Sequence, residues 1–393
     1  MTYKTAVLKR KIEYFFILPF IILGKIIGLF YKLKCKSQVF IFNPCADLGG
    51  SYKVNADIAE VLKDQKPIFI FSKKAKNNGY LSLFQNEHNT IVDVSKWVDN
   101  KWLYFNNIIF RGIISTWVNN CKNPILIGGE SMYFYKIIQH VKKNTKVIEI
   151  CHVNTWLNYN QAFISFIDKR IFSTPQVKKD IEEQYRRNNL PEYFYKKLYH
   201  IDNWIEIPEY QKTQNKNIEV LFVGRGADVK RVHLISKIAD ELQNENVPIN
   251  FTFIGDVEKV VSEKTLKTCK ILGNVSDKNI LISNYQKADI LILTSLKEGL
   301  PLVVMDMMAY GKTVLSTPAG GIVDYIFHLD NGLIIDELFD EEKIVAKGKE
   351  LLKFANKNKD AIKNLGIKAR VNAMKLFTKE QFALAYRKIV LND

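Results

Sequence analysis

Short apolar segments alternate with longer amphipathic segments along most of the chain. From about residue 38, runs rich in Val, Ile, Leu and Phe are separated by stretches in which apolar residues recur at helical spacing. This alternation is typical of β-α-β units that build parallel sheets. In the first half the predicted strands are Val39–Asn43, Pro67–Phe71, Asn107–Phe110, Ile125–Gly128, Lys146–Cys151 and Lys169–Ser173. In the second half they are Ile218–Val223, Ile249–Ile254, Cys269–Leu272, Ile290–Thr294, Thr313–Ser316 and Leu333–Ile335.

A polar segment, residues 206–217, separates the two sets of strands. It is poor in aliphatic residues, as expected of a linker, and a length of 393 residues also favours two domains. The predicted fold class is therefore α/β, with two Rossmann-like domains at residues 37–205 and 218–377. Residues 378–393 are expected to form a helix that packs back on the first domain, and its start, Thr-Lys-Glu-Gln, has the spacing of a capping box.

The first 36 residues combine an apolar centre with basic ends. The run Tyr14–Tyr31 is interrupted only by Pro19 and Lys25, and residues 1–36 hold eight Lys and Arg residues against one Glu. We expect residues 1–36 to contact an anionic membrane, because basic ends and an apolar centre suit the headgroup region. The pattern leaves open whether Tyr14–Tyr31 spans the bilayer, dips into it or lies on it, and a buried first helix has a similar pattern. No small-residue cleavage site follows the run, which disfavours a signal peptide.

The net charge of the chain is +16 at pH 7, which allows nucleic acid, a membrane or a phosphorylated substrate as the anionic partner. Residues 1–36 account for +7 of this charge. No recognised nucleic-acid-binding motif accompanies the rest, so we expect no nucleic-acid partner. The five cysteines form no C-x-x-C pair, so neither a zinc site nor a disulfide framework is indicated, and the absence of D-x-D removes one common arrangement for holding a metal. P-loop and dinucleotide fingerprints are also absent from the sequence.

The densest chemical signal follows the predicted strand Ile290–Thr294. It reads Glu298-Gly299-Leu300-Pro301, and Pro301 suits the first turn of a helix that Gly311 would end. The free backbone N–H groups of such a helix start face an anion at the mouth of an open parallel sheet. The Glu298 carboxylate would lie at this mouth, where it can accept hydrogen bonds from sugar hydroxyls. Asp306 follows about two helical turns later.

A second signal follows the strand Ile218–Val223, where Gly224-Arg225-Gly226 precedes Lys230. Glycines after a strand let the backbone approach a ligand. The side chains of Arg225 and Lys230 can offset the charge of a diphosphate without a metal. Taken alone, this run also fits a plain strand, a turn and a solvated helix start.

Together with Gly320-Gly321 and Asn331-Gly332, these motifs resemble the retaining GT-B glycosyltransferases of glycosyltransferase family 4. The resemblance covers about residues 219–336. It implies a nucleotide-sugar domain and an active site in the cleft between the two domains. Arg225 and Lys230 correspond to the residues that clamp the donor diphosphate, and Glu298 to the acid that contacts the donor sugar. The second acid of the family, which holds the nucleotide ribose, corresponds to Asp306, an Asp where Glu is usual.

The resemblance extends more loosely to the first domain. There, Gly49-Gly50 resembles the glycine-rich loop near the donor phosphates, and His152 resembles the active-site histidine; an ordinary β-α turn and a structural histidine are the alternatives. The implied catalytic residues are Glu298, His152, Arg225 and Lys230. The implied donor-binding residues are Gly49, Gly50, Gly224, Arg225, Lys230, Asn274, Val275, Glu298, Gly299, Leu300, Pro301 and Asp306.

The function that the resemblance implies is retaining transfer of a sugar from a UDP- or GDP-linked donor to an acceptor hydroxyl, with no cofactor and no metal. The basic, apolar N-terminus favours a glycan or glycolipid acceptor, such as lipopolysaccharide, O-antigen or capsule, at the cytoplasmic face of the cell membrane. An alternative is a catalytically weak sugar-nucleotide-binding subunit of another transferase, which the Asp at position 306 favours.

Overall fold

The computed structural model of the protein describes residues 1–33, 37–100, 102–152 and 160–392. The chain divides into two compact units. Unit 1 comprises Met1–Ile201 together with Ala383–Asp393, and unit 2 comprises Asp202–Phe382. Over the described ranges, each unit is built on one parallel sheet with helices packed on it. This confirms the predicted α/β class with two Rossmann-like domains.

Unit 1 contains a parallel sheet whose central strands are fully buried. Its strands are β1 (Val39–Asn43), β2 (Ile68–Phe71), β3 (Thr90–Asp93), β4 (Ile125–Gly128), β5 (Lys146–Cys151), β6 (Lys169–Phe172) and β7 (Leu198–His200). In the described part of the chain they form a seven-stranded sheet in the order β3-β2-β1-β4-β5-β6-β7. Every position of β1 and β2 is buried, as expected for parallel strands that helices cover on both faces.

The helices of unit 1 include a long N-terminal one. They are α1 (Tyr3–Phe30), α2 (Gly50–Val61), α3 (Leu81–Phe84), α4 (Ser95–Val98), α5 (Tyr104–Asn119), α6 (Met132–Ile138) and α7 (Pro175–Arg187). Short 3-10 turns lie at Lys63–Gln65, Gln161–Phe166 and Glu192–Lys197. The start of α7 shows why these boundaries form: the Thr174 side chain accepts the Val177 N–H, and Pro175 occupies the first turn, where it costs no hydrogen bond.

Unit 2 repeats this architecture. Its strands are β8 (Ile218–Val223), β9 (Ile249–Ile254), β10 (Lys270–Ile271), β11 (Ile290–Leu293), β12 (Thr313–Ser316) and β13 (Leu333–Ile334), in the order β10-β9-β8-β11-β12-β13. Its helices are α8 (Val232–Asn244), α9 (Glu263–Thr268), α10 (Lys278–Lys287), α11 (Leu302–Ala309), α12 (Glu341–Lys357) and α13 (Lys359–Leu376). Residues 206–217 contain no helix or strand.

The last helix, α14 (Lys379–Arg387), leads from unit 2 to the chain end, which belongs to unit 1. Its first turn is capped as the sequence predicts, since the Gln381 N–H donates to Thr378 Oγ1 at 3.3 Å. Within unit 1, the Arg387 guanidinium donates to the Asp64 carboxylate at 2.7 Å, and Lys146 Nζ donates to the backbone O of Val390 at 2.8 Å.

One predicted strand is wrong, while the others are found with ends within one residue. Asn107–Phe110 lies inside α5, whose buried residues Ile108, Arg111, Ser115 and Val118 recur at intervals of three and four. Its run of three apolar residues is too short to show a period, so it does not separate a strand from a helix. Strands β3 and β7 were not predicted because β3 is partly exposed and β7 has only three residues.

Each sheet has one position at which the strand order reverses. It lies between β1 and β4 in unit 1 and between β8 and β11 in unit 2. Loops at the carboxyl ends of such neighbouring strands diverge to opposite faces of the sheet and leave a crevice, the usual ligand site of open α/β sheets. The loops that follow these four strands are therefore where functional residues are expected.

Candidate active site

Two of the predicted site residues form an ion pair in unit 2. Lys230 ends the 3-10 turn Asp228–Lys230 after β8, and Glu298 lies in the turn between β11 and α11. The Lys230 Nζ atom lies 2.5 Å from Glu298 Oε1, and the two side chains are 18% and 10% exposed. The pair is therefore largely enclosed but still accessible. A carboxylate has a second oxygen, so Glu298 can hold this cation and also accept a hydrogen bond from a ligand hydroxyl.

Hydrogen bonds from side chains to backbone carbonyl groups hold the two loops of this ion pair in contact. The Thr294 hydroxyl lies 3.2 Å from the backbone O of Lys230 and 2.9 Å from that of Arg231. In return, the buried Arg231 guanidinium donates to the backbone O of Thr294 at 2.8 Å and of Ser295 at 3.2 Å. These bonds join the ends of β8 and β11 at the reversal of strand order. The sequence did not predict a role for Arg231, and its position next to Lys230 is the feature that could have indicated one.

Glycines allow the loops after β8 and β9 to interlock. Gly255 has a φ of +131°, and a Cβ there would lie 1.8 Å from the backbone O of Gly224. Such a contact excludes every other residue type, because both the conformation and the space are available only to glycine. The Gly226 N–H donates to Asp256 Oδ1 at 2.9 Å. The Gly224 and Gly255-Asp256 turns are thus neighbours, which places the Arg225 loop at the carboxyl edge of the sheet.

A second glycine contact shapes the Glu298 turn. Gly320 has a φ of +59°, and a Cβ there would lie 1.9 Å from the backbone O of Glu298. The Gly321 N–H donates to the backbone O of Gly299 at 3.0 Å. The loop after β12 therefore supports the turn that carries Glu298. Downstream, Gly311 has a φ of +71° after the last residue of α11, which confirms its predicted place at the helix end.

The remaining predicted residues of unit 2 lie around the same edge without joining the ion pair. The Arg225 side chain is exposed, Asn274 is exposed, and Val275 packs against the hydrophobic core. Leu300 is buried, and Pro301 occupies the position before α11. Asp306 is half-buried on α11. Burial raises the pKa of the nearby Tyr310, and the carboxylates of Asp306 and Glu206 raise it further.

In unit 1 the predicted residues lie at the ends of β1 and β5. Gly49 precedes α2 and Gly50 is its first residue. His152 directly follows β5 and is buried. Burial lowers the pKa of His152 to about 4, so its imidazole is neutral at physiological pH. Its Nε2 atom has no hydrogen-bond partner among the residues that the structure describes. A neutral imidazole can orient a ligand by hydrogen bonding but cannot supply a positive charge.

Glu130 is a residue of this edge that the sequence did not single out. It follows β4, the strand beside β1 at the reversal of strand order. Its carboxylate accepts hydrogen bonds from the Ser51 side chain, next to Gly49-Gly50, and from the backbone N–H of His152. Glu130 therefore connects the two loops of unit 1 that were predicted to be functional. The sequence does contain an indication of Glu130, because this acid follows a Gly-Gly pair at the end of a predicted strand. Its two hydrogen-bond partners, however, are brought to it by the tertiary structure.

The Glu130 carboxyl has an unusual pKa. Burial raises it from 4.5 to about 7, although the hydrogen bonds from Ser51 and His152 act in the opposite direction. The charge of Glu149 adds to the increase. Perturbed carboxyl groups of this kind cluster at functional sites.

Substituting Glu130→Gln is expected to stabilise the protein at pH 8 and to leave its stability unchanged near pH 4. The folded state holds the Glu130 proton more tightly than the unfolded chain, so the wild type loses stability as the pH rises from about 4.5 to about 7. Glutamine has no proton to lose. Urea unfolding at the two pH values should give a difference on the order of 2 kcal/mol at pH 8. The exposed control Glu192→Gln should show no such pH dependence, and an equal response in both variants would contradict the assignment.

Over residues 1–33, 37–100, 102–152 and 160–392, no three His, Cys, Asp or Glu side chains are grouped so that they could hold a metal ion.

Comparison with known proteins finds a family match within the second unit. Residues 204–366 match the family model described as Glycosyl transferases group 1. A curated relative from Bacillus anthracis, N-acetyl-alpha-D-glucosaminyl L-malate synthase, is 23% identical over 59% of this chain and 54% of its own length. The O-antigen biosynthesis glycosyltransferase WbnH of Escherichia coli is 27% identical over 47% of this chain and 51% of its own length. The chain thus spans about half the length of these relatives.

A solved structure extends the likeness to both units. The Anabaena protein Alr3699/HepE, in complex with UDP and glucose, superposes with a TM-score of 0.70 over 89% of this chain and 98% of its own, at 12% identity. At this identity the likeness establishes the fold, which is GT-B. Both residues of the Lys230–Glu298 ion pair lie within residues 204–366, the segment that matches the family model. Residues 204–366, within unit 2, therefore match the Glycosyl transferases group 1 model, and the chain has the GT-B fold.

Proposed function

We propose that the protein is a retaining glycosyltransferase of family 4, which moves a sugar from a nucleotide-diphosphate-sugar to an acceptor hydroxyl. The observation that carries this proposal is the Lys230–Glu298 ion pair at the strand-order reversal of the group 1 domain. A cation and a carboxylate side by side match a donor that has a diphosphate at one end and sugar hydroxyls at the other. The names of the curated relatives and the UDP and glucose in the Anabaena structure support this reading.

In the proposed reaction Lys230 and Arg225 stabilise the negative charge that develops on the departing diphosphate. This electrostatic task is commonly the largest contribution to such transfers. Glu298 accepts hydrogen bonds from hydroxyls of the donor sugar, and the backbone N–H groups of Gly299 and Leu300 face the donor phosphates. Asp306 holds the nucleotide ribose.

The residues of unit 1 have positioning roles in this proposal. His152, neutral because of its lowered pKa, donates or accepts one hydrogen bond to orient the sugar. Gly49 and Gly50 let the start of α2 approach the donor phosphates. Glu130 positions the loops that carry Gly49-Gly50 and His152, because its carboxylate accepts hydrogen bonds from the Ser51 side chain and the His152 backbone N–H. Because two cationic side chains are available for the diphosphate, the reaction is proposed to need no metal.

The acceptor is proposed to be a surface glycan or glycolipid, such as lipopolysaccharide, O-antigen or capsule, at the inner face of the cell membrane. The relative from Escherichia coli, whose name records O-antigen biosynthesis, supports this class. The basic and apolar first 36 residues support peripheral contact with an anionic membrane.

Thermal stabilisation by a panel of UDP- and GDP-linked sugars tests the binding half of the proposal. A ligand that binds only the folded state, at a concentration of 100 times its Kd, should raise the melting temperature of the group 1 domain by about 5–10 °C. One nucleotide class should stabilise the wild type, and Glu298→Ala should reduce the shift from the sugar nucleotide more than the shift from the free nucleotide. If no member of the panel stabilises the protein, the donor assignment is wrong.

A further inference from the structure

The C-terminal half of α1 is fixed against α5 in unit 1. Gly24 and Gly28 let the helices approach closely, since a Cβ on Gly24 would lie 2.0 Å from the backbone O of Ile109. The Thr116 hydroxyl of α5 donates to the backbone O of Lys25 at 3.3 Å. At the end of the helix, the indole N–H of Trp117 donates to the backbone O of Tyr31 at 2.5 Å.

The N-terminal half of α1 is also held by unit 1. The Tyr14 ring stacks on that of His140 at 5.4 Å, and the Arg10 guanidinium lies 4.7 Å from the centroid of the Phe166 ring. At the first turn, the Tyr3 N–H donates to Asn188 Oδ1 at 2.7 Å. With 28 residues and a mean hydropathy of 2.0 in its most apolar window, α1 is long and apolar enough to cross a membrane. Crossing would require it to leave these contacts, so the structure favours a helix that lies along unit 1.

The side of α1 that faces away from unit 1 is apolar, which is the reverse of an ordinary surface helix. Its row of exposed residues follows the helical repeat, and each is at least 50% exposed: Leu8, Ile12, Phe15, Ile22, Ile26 and Leu29. We call this row the outer face. From its first to its last residue it extends over roughly 30 Å. A patch of this length on a soluble surface marks an interaction site.

A second element continues the outer face. Trp102 is 95% exposed and Phe105, in the first turn of α5, is 59% exposed. The Phe105 ring contacts the Phe20 ring of α1 with centroids 5.0 Å apart. Phe20 is half-buried, and Phe16 and Leu23, one helical turn to either side of it, are 70% and 45% exposed. Phe105 therefore borders the exposed apolar surface of α1, and residues 102–105, which were not part of the predicted membrane segment, extend that surface. Exposed Trp and Phe side chains of this kind are typical of the membrane–water interface.

The charges around the outer face distinguish a bilayer from a second copy of the chain. The exposed side chains of Lys4, Lys9 and Lys11 lie before its centre, and exposed Lys32 lies beyond its end. Pairing two outer faces about a two-fold axis would bring basic ends against basic ends, which is unfavourable. Anionic headgroups would instead complement both ends at once.

We infer that the outer face of α1 and residues 102–105 form one docking surface that lies in the plane of an anionic lipid bilayer, without a membrane-spanning helix. This inference deepens the membrane contact of the proposed function and rests on that contact, but not on the transfer reaction. In this arrangement the apolar side chains enter the headgroup–acyl boundary while the lysines remain with the headgroups.

Cosedimentation of the full chain with phospholipid vesicles tests the inference. We expect strong binding to vesicles of phosphatidylcholine and phosphatidylglycerol, weak binding to phosphatidylcholine alone, and release from the bound state by alkaline carbonate. Phe15→Glu and Trp102→Glu should each reduce the partition constant by about tenfold or more, because each removes a large apolar side chain from the interface. Phe339→Glu, at a 78% exposed Phe of unit 2, is the matched control and should bind like the wild type.

Three results would overturn the inference. They are the absence of binding to either vesicle, retention after carbonate treatment as for a spanning helix, and a loss of binding in Phe15→Glu with none in Trp102→Glu. A concentration-dependent dimer in detergent-free buffer that Phe15→Glu abolishes, with no lipid binding, would assign the surface to a second copy. Stabilisation by sugar nucleotides, measured on the same variants, should be unchanged. A failure of the membrane inference is therefore separable from a failure of the donor assignment.

Discussion

Replacing Lys230 or Glu298 with Ala is expected to reduce sugar transfer by at least about 1,000-fold while the protein stays folded. Lys230→Ala removes the enclosed cation proposed to stabilise the departing diphosphate. Glu298→Ala removes the carboxylate that holds the Lys230 ammonium group, 2.5 Å away, and that is proposed to contact the donor sugar. Initial rates of nucleoside diphosphate release, with melting curves for the same preparations, measure the two effects separately.

Two controls make this prediction specific. Lys237→Ala removes an exposed lysine from α8 of the same unit and should keep the wild-type rate. In the double variant Lys230→Ala/Glu298→Ala, the loss should be much smaller than the product of the single losses, because the two residues act as one pair. Wild-type rates in both single variants would refute the assignment of this pair to the donor site.

Arg170→Met is expected to cost unit 1 about 3–5 kcal/mol of stability. Arg170 on β6 and Glu149 on β5 are 1% and 0% exposed, and their side chains form an ion pair. The Tyr135 hydroxyl and the Asn160 side chain also donate to the Glu149 carboxylate. Removing the guanidinium leaves a carboxylate buried without its cation. Because Glu149 lies three residues before His152, the network also holds the end of β5 that carries this histidine.

Urea unfolding of the single and double variants tests this second prediction. Glu149→Leu/Arg170→Met removes both charges, so it should recover much of the stability that Arg170→Met loses. The control Arg187→Met, at an exposed i,i+4 pair with Glu183, should change stability by less than about 1 kcal/mol. If Arg170→Met unfolds like this control, the buried pair does not have the structural role given to it.

The sheet architecture is predictable from the sequence because parallel strands buried on both faces are continuous apolar runs. The strand Val39–Asn43 was predicted with the observed bounds, and all five of its positions are buried. The same signal fails at Asn107–Phe110, a short apolar run that belongs to α5 and packs against α1. Edge strands such as β7 are short, so they leave little pattern to detect.

The sequence was enough to predict several residues of the candidate site, but not the contacts between them. The spacing of motifs indicates Lys230 and Glu298, while their ion pair depends on the Thr294 and Arg231 hydrogen bonds across the strand-order reversal. Glu130 was missed because its partners come from the loops after two other strands. For the N-terminal segment, the sequence left open a spanning, an interfacial and a buried helix, and the contacts with α5 on which our inference of an interfacial helix rests are visible only in three dimensions.

The most direct test of the central claim is the release of nucleoside diphosphate from UDP- and GDP-linked sugars by the full chain in excess EDTA, with water or a sugar as acceptor. The account predicts turnover of one donor class, unaffected by the chelator, with the anomeric configuration of the donor kept in the product as observed by proton NMR. It also predicts that Glu298→Ala loses this turnover. Donor binding without turnover under any condition would instead indicate a sugar-nucleotide-binding subunit, and equal turnover by wild type and Glu298→Ala would contradict the site.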